Sequence, residues 1–213
     1  MQRSRACLAA GVALGLLAAP VSGQESPVAF VGARVVPVAG PEIPNGVVVV
    51  HRGKIVAVGA DGSVAIPPGA LRRDVSGKVL MPGLVDTHSH IGGVQGADAS
   101  APIQPDVRAI DAINVADSAL QKAQAGGITT VNVMPGSGHL LSGQTAYLKL
   151  RDRRTIDELL IATERGVTGG MKMANGTNSR RPAPFPGTRA KSAALVREQF
   201  VKAREYRRRW VDH

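Results

Sequence analysis

Apolar and polar positions follow three different rhythms along this chain. Residues 8–19 form an unbroken apolar run, preceded by Arg3 and Arg5 and followed by Val21, Ser22 and Gly23. This is the charged, apolar and small-residue succession of a secretory leader, and it falls short of the roughly 20 apolar residues that span a bilayer. It predicts a signal peptide over 1–23 and export to the periplasm or the medium. From 28 to 80 the apolar positions come in short runs rich in Val, Ile and Ala. They predict strands over 28–37, 46–51, 54–59 and 71–75, with Arg52-Gly53 as a compact hairpin turn and Pro41, Pro44, Pro67 and Pro68 in the connections. Residues 24–82 thus read as a small β-layer.

Beyond Gly83 strand and helix rhythms alternate. Residues 84–90 suit a pleated segment. Val107, Ile110, Ile113, Ala116 and Leu120 recur at three- and four-residue spacing, which predicts a helix over 107–125. Asp106 can cap its start, and Gly126-Gly127 can end it. Residues 128–134 follow as a strand. Strand, helix, strand implies a parallel βαβ unit. Further strands are expected over 144–150 and 168–173, a helix over 155–164, and a long helix over 189–210. Val196, Phe200, Ala203, Tyr206 and Trp210 lie on one side of that last helix.

Candidate chemistry gathers at the end of the first of these strands. Side chains two apart on a strand share a face, so Asp86, His88 and His90 point together. Two such imidazoles can hold one metal ion, at about 2.0–2.1 Å for zinc–nitrogen. Composition narrows the remaining ligands. The one cysteine, Cys7, sits in the leader, so the mature chain has neither disulfides nor thiolate sites. The net charge is +10, with a late basic run at Arg207, Arg208 and Arg209. Aromatic residues make up only 3%, too few for base-stacking platforms, and the basic run reads as a solvated helix face. Neither a nucleic-acid partner nor a membrane is expected.

The block Met81-Pro-Gly-Leu-Val-Asp-Thr-His-Ser-His90, with Gly126-Gly-Ile-Thr-Thr-Val-Asn-Val-Met-Pro-Gly-Ser137, resembles the amidohydrolase superfamily. The likeness is closest to its secreted imidazolonepropionase-like and prolidase-like branch, and covers about residues 28–211. It implies a partial TIM-type (β/α)8 barrel of about four βα units over 83–213, preceded over 24–82 by half of a composite β-sandwich. A whole barrel typically takes about 250 residues, so the chain reads as the N-terminal portion of one, inactive alone. The resemblance makes His88 and His90 ligands of one or two divalent metals, most readily zinc. It makes Lys172, in Met171-Lys-Met173, a further ligand when carboxylated, and Asp86 an orienting group at best.

Lys149 is the competing lysine, and Lys172 also reads as an ordinary snorkelling side chain. His139, in the loop from Pro135, either contacts substrate or is a plain loop histidine. The implied reaction is hydrolysis of an amide, cyclic-amide or dipeptide C–N bond in a small molecule, by a parent for which a homo-oligomer is open. The family's two later histidines and its late aspartate have no counterpart here, so the catalytic group is unassigned. Absence of a Gly-x-Ser-x-Gly elbow argues against a serine hydrolase. The alternative is a non-catalytic exported binding protein that uses its basic C-terminal helix.

Overall fold

The computed structural model describes residues 26–94, 98–152 and 154–211, so the expected leader lies outside the described residues. The chain packs as two compact units that divide between Pro82 and Gly83. The fold is mixed α/β, and among the described residues no helix is long and apolar enough to cross a membrane.

The first unit is a single sheet. Its strands are β1 (Val28–Val35), β2 (Ile43–His51), β3 (Lys54–Ala60), β4 (Leu71–Asp74) and the short β5 (Val79–Leu80). They run in the order β3-β2-β1-β4, with β5 also paired to β1. The two hairpin pairs are antiparallel, while β4 and β5 lie parallel to β1. Ala29, Val47 and Val49 form one buried cluster, and Ala33, Val35 and Val48 form another. Successive valines of β2 therefore serve both clusters, which explains an apolar run without alternation. Arg52 and Gly53 both take left-handed φ values, 50° and 72°, as the tight turn between two twisted strands demands.

The second unit opens with β6 (Leu84–Ser89), α1 (Ser118–Ala125) and β7 (Ile128–Val133). The two strands are parallel, as a crossover helix requires. Gly83 starts this unit because a Cβ there would lie 2.0 Å from the Thr129 methyl. The core holds Leu120 of α1 against Val131 and Val133 of β7, together with Ala146, Leu148 and Leu159.

Several expectations are corrected past this point. The helix expected over 107–125 exists only as α1. Asp117, not Asp106, caps it, accepting the Ala119 amide at 2.8 Å. The apolar positions before it pack against other segments instead. The Val107 carbonyl takes the Gln144 amide, and the Asn114 amide goes to Gly92. The strand expected over 144–150 is two strands, β8 (Leu141–Gln144) and β9 (Ala146–Lys149). β9 pairs antiparallel to β7, so it does not continue a parallel series. The helix over 155–164 shrinks to one turn, α2 (Ile156–Leu159), started by Glu158 accepting from the Thr155 amide and hydroxyl. The strand over 168–173 is β10 (Met171–Met173), antiparallel to β8. Among the described residues one parallel βαβ unit, β6-α1-β7, stands where about four βα units are expected. The long helix forms as α3 (Arg189–Val211).

Candidate metal centre

β6 carries His88, and His90 follows directly after its last residue, Ser89. The register against β7 shifts between Asp86 and Ser89, so simple alternation is interrupted there. The two rings nevertheless stay together, 5.2 Å between centroids and nearly perpendicular. His90 Nδ1 lies 2.7 Å from the Met134 carbonyl oxygen. A carbonyl can only accept, so in a neutral ring the proton sits on Nδ1 and Nε2 keeps its lone pair. Asp86 does not orient an imidazole; its carboxylate accepts the backbone N–H of His88 at 3.0 Å.

β10 brings the third group. Met171 is exposed and Lys172 is buried, at 8% exposure, so the lysine points inward. Its Nζ lies 3.2 Å from His88 Nε2 and 3.4 Å from the Met134 thioether sulfur. Both neighbours can accept from a protonated amine, and among the described residues no carboxylate is set against it. Burial therefore holds the Lys172 amine below its ordinary value, which favours the neutral form. Lys149, the competitor, is exposed on β9 opposite Thr130.

Among the described residues no group of three His, Cys, Asp or Glu side chains converges. The donors that do meet are two imidazoles and a desolvated amine. They fit a divalent metal in kind, because an imidazole can offer a ring nitrogen lone pair and a neutral lysine can become an oxygen donor. A cavity of about 490 Å³ opens beside His90, lined also by Val94, Asp117 and Gly136.

His139 occupies an adjoining cluster rather than this one. It is buried at 2% exposure, packed on the Phe185 ring at 5.2 Å between centroids. Arg181 Nη2 sits 3.3 Å from its Nε2, and its Nδ1 has no hydrogen-bond partner among the described residues. Burial, and then the Arg181 charge, push the imidazole below its ordinary value, against a smaller upward pull from Asp98. Sequence reasoning missed Met134, Arg181 and Phe185. Met134 had one legible signal, its place at the C-terminal end of a predicted strand, where barrel sites gather.

No protein-family model matches the chain. It is 31% identical over 191 residues to the amidohydrolase tasK of Hapsidospora irregularis, covering 78% of this chain and 19% of that protein. Over 61 residues it is 43% identical to the 5-methylthioadenosine/S-adenosylhomocysteine deaminase of Symbiobacterium thermophilum, covering 28% of this chain and 14% of that one. The crystal structure of an amidohydrolase from Thermotoga maritima superposes with a TM-score of 0.75 at 33% identity, over 85% of this chain and 49% of that one. The chain thus spans less than a fifth of either curated relative and about half of the solved structure.

Proposed function

We propose, on the support that the names of these relatives and of the solved neighbour give to the amidohydrolase superfamily, that this chain carries the metal-binding opening strand of a hydrolase acting on C–N bonds. The observation that carries the reading is Lys172 Nζ at 3.2 Å from His88 Nε2, with His90 on the same strand end. His88 and His90 would hold a divalent metal, zinc being the natural choice for imidazole donors. Lys172, already stripped of water and counter-ion, would join them as a carbamate. Bound there, such a metal lowers the pKa of water to about 7 and polarises a carbonyl oxygen.

The chain's own contributions follow from its contacts. The Met134 carbonyl holds the proton of a neutral His90 on Nδ1, so Nε2 would be the nitrogen left to hold the ion. The Asp86 carboxylate fixes the backbone at His88. His139 stands at the neighbouring loop as a substrate contact. The substrate would be a small amide, cyclic amide or dipeptide, met outside the cytoplasm if residues 1–23 act as a leader. Groups that transfer protons in a complete site would come from outside this chain, consistent with its share of its relatives' length.

The test is metal stoichiometry of the purified protein after zinc loading and dialysis. Wild type should retain zinc, while His88→Ala and Lys172→Met each lose affinity by at least about tenfold. Full zinc content in His88→Ala would remove the basis of the reading.

A further inference from the structure

We propose that Arg181 is the anchor for a carboxylate on the substrate, a specificity residue beside the candidate metal centre; this rests on the hydrolase reading above. Its position comes first. The Ala174 amide donates to the Leu140 carbonyl at 3.2 Å, which ties the segment after β10 to the glycine-rich loop after β7. That tie lies two residues from Lys172 and one from His139, so the lysine and the Arg181 cluster belong to adjoining ends of the same strands.

The second argument is immobilisation. Arg181 Nη2 donates to the Gly138 carbonyl at 2.5 Å and to His139 Nε2 at 3.3 Å. The guanidinium carbon sits 3.9 Å over the Phe185 ring. An arginine held by two hydrogen bonds and an aromatic face has already lost much of the rotamer freedom that ligand capture would cost. His139 accepts from it, so the imidazole does not offset the arginine charge. Asp98 is the acid on this side, and its carboxylate already takes the Ser100 amide at 2.8 Å.

The third argument is the unused hydrogen-bonding capacity. Nε and Nη1 have no partner among the described residues, and the side chain is exposed. Both hydrogens of Nη2 are committed, and each two-pronged edge of a guanidinium includes that nitrogen. A carboxylate must therefore bind through single contacts and charge, not as a fork. This makes a distinctive prediction: Arg181→Lys, which keeps a point charge, should retain part of the selectivity.

The experiment compares N-acetyl-L-leucine with N-acetyl-L-leucinamide, probes that differ in the carboxylate, by ligand-observed NMR titration of the intact chain. Wild type should bind the acid at least about tenfold more tightly than the amide. Arg181→Met should bind the two alike, with affinity for the amide unchanged, and Arg181→Lys should fall between. Circular dichroism of each variant verifies folding, and Arg181→Lys keeps the test valid if the methionine variant unfolds. Equal binding of both probes by wild type, binding of neither, or selectivity surviving in a folded Arg181→Met overturns the proposal. Zinc content of the same samples separates the two ideas. Selectivity without zinc leaves the anchor standing and sinks the hydrolase, and zinc without selectivity does the reverse.

Discussion

Lys172 is a buried amine with no anion against it among the described residues, an arrangement costly enough that it calls for a reason. Its sequence neighbours, Met171 and Met173, suggest a snorkelling chain, but Nζ ends against His88 and Met134 instead of water. The spacing of the histidine pair gives the expectation that the two rings meet, and they do, although His90 lies one residue past β6 and the register shifts there. Met134 and Arg181 could not be placed by spacing, since their contacts close over about forty residues of chain and depend on how loops fold back. His139 shows how burial alters a residue that looks like an ordinary loop histidine. With its folded pKa lowered, the native state binds fewer protons than the unfolded chain, whose histidine titrates near 6.5. Its contribution to stability is therefore complete above about pH 6.5 and drains away as pH falls from there through the lower folded value. The groups facing it are Arg181, which deepens the effect, and Asp98, which moderates it. Melting temperature should drop between pH 7.5 and 5.5 in wild type, and His139→Gln should flatten that slope. An unchanged slope would mean that the imidazole titrates as freely in the fold as in the unfolded chain.

At the scale of elements, the chain announces periodicity more reliably than length. Val107, Ile110 and Ile113 have helical spacing, yet the segment is spent on a bridge between Arg108 and Gln144, a turn at 109–111 and the Asn114–Gly92 bond. Tertiary partners won over a local pattern. The signals that did hold were stereochemical: Gly126 and Gly127 end α1 as read, and Arg52-Gly53 makes its hairpin. Strand direction was out of reach, because a single residue, Thr145, lies between β8 and β9 and its amide bonds to Gly170. The true start of α1 is open to a paired substitution. Asp117→Ala removes a side chain that accepts the Ala119 amide and should cost about 1 kcal/mol. Asp106→Ala should change stability by less than about 0.5 kcal/mol, as a surface substitution away from any cap does. Chemical denaturation of the two variants would reveal a misplaced helix start if their costs were reversed.

For the molecule as a whole, two opposing terms govern behaviour in solution. The sheet edges invite association. Among the described residues β6 is one outer strand of the sheet β6-β7-β9, and β3 is one outer strand of the first unit's sheet. Both display apolar side chains, Leu84 and Val85 on one and Ile55 and Val58 on the other. Natural edges are usually guarded by lysine, proline or a bulge; here Lys54 opens β3, Pro82 precedes β6 and both pairings carry register irregularities, so the apolar side chains are the part of each edge left to associate. Against this stands a net charge of +10, which makes copies of the chain repel one another. The repulsion acts over a Debye length, about 10 Å at 0.1 M salt and about 3 Å at 1 M, whereas edge pairing acts at contact. Edge pairing should therefore win once salt is added. The chain is expected to be monomeric at low salt and to associate at micromolar concentration as salt rises, in light scattering. A polyanion-binding basic helix would have the opposite dependence, its complexes weakening as salt rises. Lysines at Val85 and Ile55 guard both edges without touching His88, His90 or Lys172, so the double variant V85K/I55K should stay monomeric at every salt concentration. Association that salt weakens, or that both lysines leave unchanged, would shift responsibility from the sheet edges to α3, where Phe200, Tyr206 and Trp210 are exposed.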